Sequence, residues 1–133
     1  MNYPAKILLT DDEPHVRKFI GLIMQKFGAP QLLEAGDGAI AVKLYEQEKP
    51  DLVLLDVNMP NMDGIQALAE IRRLDPAALV IMLTSLANRH TVEECLRLGA
   101  INYIRKDLPR DELTAQLTQI IEECFGDDEE PAP

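Results

Sequence analysis

The sequence predicts an α/β protein, a (βα)5 three-layer sandwich in which a five-stranded parallel sheet carries helices on both faces. Three observations predict it. Short apolar runs alternate five times with segments of helical period. Those runs are apolar at consecutive positions, as strands covered on both sides require. The chain of 133 residues fits one domain, and its 47% apolar content can fill a core.

Lys6-Ile7-Leu8-Leu9-Thr10 reads as the first buried strand. The next segment puts Val16, Phe19, Ile20, Ile23, Met24 and Phe27 on one helical face. Pro14 stands near its start, where a missing N–H is harmless, and Gly28 and Pro30 end it. Gln31 to Ala35 is a second strand, Gly36-Asp37-Gly38 a turn, and a helix follows to about Glu48. Asp51 to Leu55 is the third strand. Asp63-Gly64 opens a helix with Ile65, Leu68, Ile71 and Leu74, ended by Asp75-Pro76. Leu79 to Leu83 is the fourth strand, stopping at Thr84-Ser85. A polar helix from about Asn88 to Leu98 ends at Gly99, and Ile101 to Ile104 is a brief fifth strand. The last helix spaces Leu113, Leu117, Ile120, Ile121 and Cys124 along one face. Residues 126–133 form an acidic, proline-terminated tail, expected to be disordered.

Aromatic residues are only 5% and Trp is absent, so the core is aliphatic. A net charge of −10 argues against direct nucleic-acid binding, which needs a basic face, and suits cations or basic protein patches. Cys95 and Cys124 are expected to be small buried hydrophobes, since two cysteines make neither a disulfide framework nor a metal site. No apolar run has membrane-spanning length and the N-terminus lacks a signal-peptide pattern, so the expected location is cytoplasmic.

The chemistry gathers at strand ends. In an open parallel sheet, ligands sit beyond the carboxyl ends of the strands. The first strand ends at Asp11-Asp12, the third at Asp56, the fourth at Thr84-Ser85, and the fifth leads to Lys106. Only the second contributes nothing obvious, as expected of an edge strand. A carboxylate is costly to bury without cause. Three together repel, so one protonates or a cation binds. Oxygen-only donors without His or Cys favour a hard ion, and Mg²⁺ bridges such carboxylates to phosphate. Lys106 offers a point charge and Thr84 a donor to phosphoryl oxygens. Asp56 can attack phosphorus and become an acyl phosphate.

These residues resemble the receiver domain of bacterial two-component response regulators over roughly residues 5 to 125. The matching pieces are Asp11-Asp12-Glu13, the run Asp56-Val57-Asn58-Met59-Pro60-Asn61-Met62-Asp63-Gly64, Thr84-Ser85, Gly99-Ala100, Tyr103 and Lys106. The Asp56 run is especially close to that of the single-domain chemotaxis members. The resemblance implies a flavodoxin-like fold with strand order 2-1-3-4-5, as in the receiver that serves as a standard example of that order. It implies that Asp56 is the phosphoacceptor, supplied by a sensor histidine kinase or phosphotransfer protein. Asp11, Asp12, Asp56 and the backbone carbonyl of Asn58 would hold Mg²⁺. Thr84 and Lys106 would contact the phosphoryl oxygens. Thr84 coupled to Tyr103 would switch the face of the fourth helix, fifth strand and fifth helix towards a downstream protein. Such a protein is a monomer or a phosphorylation-dependent dimer, and not a turnover enzyme. Asn58 and Leu86 occupy positions that tune phosphoryl lifetime. The output pathway, and whether the receiver stands alone or belongs to a longer regulator, stay open.

One departure concerns Lys106, which the family usually follows with proline. Asp107 stands there instead. A cis bond before a non-proline residue costs about 2.5–4 kcal/mol, so a trans bond and a rearranged loop are expected. Asp107 is also expected to compete with phosphate for Lys106. Plainer uses exist for each residue. Asp11 or Asp12 can cap a helix, Thr84-Ser85 can serve a turn, Asn58 can form a turn, and Tyr103 can be a half-exposed strand aromatic. His15 and His90 are expected at the surface. Two other functions fit less well. A haloacid-dehalogenase-type phosphatase needs a second Asp where Asn58 stands. A flavin binder would place a phosphate against Asp11-Asp12, which would repel it.

Overall fold

Five parallel strands bring their carboxyl ends to one edge in the order β2-β1-β3-β4-β5. The computed structural model describes residues 3–85 and 88–126. Leu86 and tail residues 127–133 lie outside the described residues. The elements are β1 (Lys6–Thr10), α1 (Pro14–Met24), β2 (Gln31–Ala35), α2 (Gly38–Glu48), β3 (Leu52–Leu55), α3 (Gly64–Leu74), β4 (Val80–Thr84), α4 (Arg89–Arg97), β5 (Asn102–Arg105) and α5 (Arg110–Phe125). This is the expected flavodoxin-like sandwich, with β2 at one edge and β5 at the other.

The alternation of strand side chains divides the core into two layers. Ile7, Leu9, Leu52, Leu54, Ile81, Leu83 and Ile104 face α1 and α5, meeting Ile20, Ile23, Leu113, Leu117 and Ile121. Leu8, Val53, Leu55, Val80 and Met82 face α2, α3 and α4, meeting Ala41, Tyr45, Leu68, Ile71 and Cys95. Every residue of β3 and β4 is buried, which is why those runs are apolar at consecutive positions.

Local chemistry moves several element ends from their expected places. Asp51 is not in β3, because its side chain turns back to accept the backbone N–H groups of Ala5 and Lys6 at 2.9 and 3.0 Å. β4 and β5 each end one residue later than their apolar runs, because the ladder continues past the last apolar side chain. α1 closes earlier, with Lys26 and Phe27 bonding back to Ile23 and Met24 in i to i+3 turns. Asp63 begins α3 with a capping box, accepting from Gln66 N–H while the Gln66 side chain receives its own N–H. Cys95 is buried as expected, but Cys124 is exposed. Phe125 packs on the core at the end of α5 in its place.

The central strands are the most completely buried. Leu54 is 2% exposed in β3, so Leu54→Ala is expected to cost about 2–5 kcal/mol, read as a lower denaturation midpoint in urea with an unchanged slope.

Candidate functional site

The three charged residues closest to the sheet edge share one backbone device. Asp11 N–H bonds Ala35 carbonyl at 3.1 Å, Asp56 N–H bonds Thr10 carbonyl at 3.0 Å, and Lys106 N–H bonds Thr84 carbonyl at 3.0 Å. Each residue therefore stands one step beyond its strand yet remains in the ladder. Its main chain is therefore held independently of its side-chain contacts.

Asp56 and Asp11 are only 4% and 5% exposed, and Thr84 is 0% exposed, whereas Asp12 is exposed. Oxygens from Asp11, Asp12 and Asp56 all lie within 4.8 Å of one another. Lys106 Nζ donates to Asp11 Oδ2 at 2.7 Å and to Asp56 Oδ2 at 3.1 Å. Asp56 Oδ1 accepts from Val57 N–H at 2.8 Å, and Asp11 Oδ1 accepts from Glu13 N–H at 2.9 Å. The plainer capping role fails for α1, whose N-cap is Glu13 without a side-chain cap bond.

One ammonium faces three carboxylates, so negative charge stays in excess. Burial raises the Asp56 pKa from the ordinary carboxylate value. The hydrogen bond and charge of Lys106 oppose the shift without cancelling it, and Asp11 adds to it. Burial pulls the Lys106 pKa down, but its bonds to Asp11 and Asp56 outweigh this and raise it. Lys106 is therefore charged at neutral pH. The Thr84 hydroxyl hydrogen-bonds both Asp56 and Tyr103. Tyr103 is half-buried against the α4 side of the core, and burial raises its pKa. The structure thus brings Asp11, Asp12, Asp56, Thr84, Tyr103 and Lys106 into one connected group.

Two glycines shape the loop between β3 and α3. A Cβ on Gly64 would overlap the Asp56 carbonyl, and Gly64 N–H bonds Val57 carbonyl at 2.7 Å. A Cβ on Gly38 would overlap the Met62 carbonyl, which accepts Gly38 N–H at 2.9 Å. Asn58 is exposed on this loop.

Asp107 departs from expectation. Among the described residues no peptide bond is cis, as expected for Lys106-Asp107. But Asp107 does not compete for Lys106. It accepts from Arg105 at 2.7 and 3.1 Å and faces solvent, so the guanidinium takes the carboxylate while Lys106 points inward. His15 and His90 are exposed. His15 lines an open cleft of about 370 Å³ with Glu13, Ser85, Lys106 and Asp107. The sequence did not single out Arg17, whose Nη1 donates to the Asp11 carbonyl at 2.6 Å and whose Nε donates to Glu34 at 2.7 Å. A lone Arg on a helix gives no signal of a contact across a strand end.

Residues 7–118 match the response regulator receiver domain. The chain belongs to that family. The chemotaxis protein CheY of Bacillus subtilis is 35% identical over 116 residues, covering 87% of this chain and 97% of that protein. CheY of Listeria monocytogenes is 38% identical over 112 residues, covering 84% and 94%. A chain of the CheX–CheY–BeF3–Mg²⁺ complex from Borrelia burgdorferi superimposes with a TM-score of 0.82 at 33% identity, over 89% of this chain and 90% of that one. The response regulator domain of Thermotoga maritima CheB gives 0.81 at 29% identity, over 95% and 98%. Receivers are regulatory proteins, and the acidic cluster of this one could hold a metal ion. No helix among the described residues is long and apolar enough to cross a membrane.

The raised Asp56 pKa makes a prediction about stability. The folded receiver holds the Asp56 proton more tightly than the unfolded chain does, so this residue destabilises the fold once ionised. The penalty is absent below the ordinary Asp range and complete above the raised folded value. Asp56→Asn is expected to raise the metal-free melting temperature at neutral pH, Lys106 keeping its bond to Asp11. The gain shrinks as pH falls through that window, as thermal melts across pH would show.

Proposed function

We propose that this receiver is a phosphorylation switch with Asp56 as phosphoacceptor. The observation that carries the reading is a nearly buried carboxylate bonded to Lys106 and flanked by Asp11 and Asp12, in a chain of the receiver family. A sensor histidine kinase or phosphotransfer protein supplies a phosphohistidine. An Asp56 oxygen attacks phosphorus, the P–N bond breaks, and the imidazole leaves with the electron pair. The product is an acyl phosphate.

The donor set fits a hard divalent ion: all oxygen, clustered, and undercompensated by Lys106. Asp11, Asp12, Asp56 and the backbone carbonyl of Asn58 would hold Mg²⁺, which supplies positive charge beside the transferring phosphoryl oxygens. Lys106 offers its ammonium to the same oxygens, and the Thr84 hydroxyl donates to them. Because Thr84 already bonds both Asp56 and Tyr103, a new partner for Thr84 alters the surroundings of Tyr103. We assign to this pair the shift between two surfaces of α4, β5 and α5, which then engages a downstream protein. The Borrelia complex, in which a CheY is solved with CheX, BeF3 and Mg²⁺, supports a protein target and a metal-dependent phosphoryl site.

We take residues 1–125 as the receiver and 126–133 as its acidic tail. The charge of −10 favours a protein target over nucleic acid, and a cytoplasmic place suits a kinase-fed switch. It acts as a monomer or a phosphorylation-dependent dimer. A phosphatase of the haloacid type is disfavoured because Asn58 cannot act as a general acid.

Incubation with acetyl phosphate and Mg²⁺ should add one phosphoryl group, seen by intact mass. Asp56→Asn should not be labelled, and EDTA should abolish labelling of the native protein. Lys106→Ala should slow it by roughly 100-fold. Equal labelling of the native protein and Asp56→Asn would sink the assignment.

A further inference from the structure

β2 supplies no ligand, yet its carboxyl end touches both loops that carry the proposed ligands. Asp37 lies just beyond β2 and is 8% exposed. Its Oδ1 accepts the N–H of Ile40 at 2.9 Å and so caps α2. Its Oδ2 accepts from Asn61 Nδ2 at 2.8 Å, across to the loop between β3 and α3. Asn61 holds a left-handed backbone with φ of 66°, which Asn tolerates better than most residues. The neighbouring Gly38 N–H bonds Met62 of the same loop. The other loop is reached through Glu34, which binds Arg17 Nε, while Arg17 Nη1 holds the Asp11 carbonyl. Arg17 is partly buried at 16% side-chain exposure, and its planar fork meets both acceptors at once.

We propose that the Asp37–Asn61 and Glu34–Arg17 contacts are braces that position the two ligand-bearing loops, making the end of β2 part of the metal site's supporting shell. The inference rests on the phosphoacceptor reading above and adds residues to it. The hydrogen bonds of Ile40 and Asn61 lower the Asp37 pKa, so the brace is a carboxylate at neutral pH. Asp37 does more than cap. A cap needs one oxygen, and the second is spent on a residue in a different loop. Arg17 likewise could satisfy Glu34 alone, but it also fixes a carbonyl of the residue whose carboxylate binds Lys106. These are positioning residues: none touches the reacting atoms.

The test separates positioning from folding. Asp37→Ser keeps a good helix cap but is too short to reach Asn61. Asn61→Gly removes the amide and keeps the left-handed backbone. Asp37→Asn can cap Ile40 and still pair with Asn61, whose amide can turn its oxygen inward. Arg17→Lys retains charge and loses the fork. Mg²⁺ affinity of the metal-free protein is read by calorimetric titration, with melting temperature measured alongside. Affinity is expected to fall on the order of tenfold in Asp37→Ser, Asn61→Gly and Arg17→Lys, and to stay within about twofold of native in Asp37→Asn. At saturating Mg²⁺ the labelling rate with acetyl phosphate is expected to recover. Native affinity in the first three variants, or loss of labelling that saturating Mg²⁺ does not restore, would overturn the braces alone. A native protein that bound no Mg²⁺ would overturn the phosphoacceptor reading first.

Discussion

Lys106 Nζ sits between Asp11 and Asp56, 2.7 and 3.1 Å from an oxygen of each, and the rest of the site is arranged around that contact. Parallel strands send three carboxylates to one edge, two of them almost wholly buried. Left alone they would repel one another or take up protons. A single ammonium bonds two of them, Asp11 and Asp56, and cannot neutralise all three. The group therefore remains receptive to a further cation, and a phosphoryl group arriving with that cation would find Lys106 within reach. The same imbalance burdens the fold, because burial and the neighbouring Asp11 disfavour the charge of Asp56 and raise its pKa.

The surrounding frame is what lets that burden persist. Asp11, Asp56 and Lys106 each give a backbone N–H to the adjacent strand, which resists a main-chain shift that would relieve the repulsion between the two carboxylates. Gly38 and Gly64 allow the loop after β3 to lie against backbone that any side chain would push away. The aliphatic layers on both faces of the sheet hold these strands in register. Every residue of β3 and β4 is buried, and Asp56 and Thr84 stand at the ends of these two strands.

Much of this was legible from residue order. Consecutive apolar runs identified β1, β3 and β4 because those strands are covered on both sides, and the polar residue following each run marked the site edge. Thr84 could be named because it terminates such a run. Where a residue's role depends on a distant partner, the order was silent or misleading. Asp51 looks like the first residue of a strand but caps the start of β1. Asp107 looks like a rival for Lys106 but is held by Arg105. Cys124 has the spacing of a core residue, yet Phe125 occupies the core position near the end of α5. β2 appeared to contribute nothing, because its contribution is made by side chains that bridge to other loops.

The sequence by itself determined the α/β class, the alternation of elements and the identity of the acidic, hydroxyl and lysine residues at the strand ends. Those follow from periodicity and from the cost of burying charge, both local properties of the chain. Tertiary structure decided that Lys106 binds both Asp11 and Asp56, where Asp107 turns, and how Asp37, Asn61 and Arg17 contact the loops. These depend on distances between residues up to 95 positions apart. Only the packed sheet sets such distances, since hydrogen bonds of this length are selected by geometry rather than by residue type.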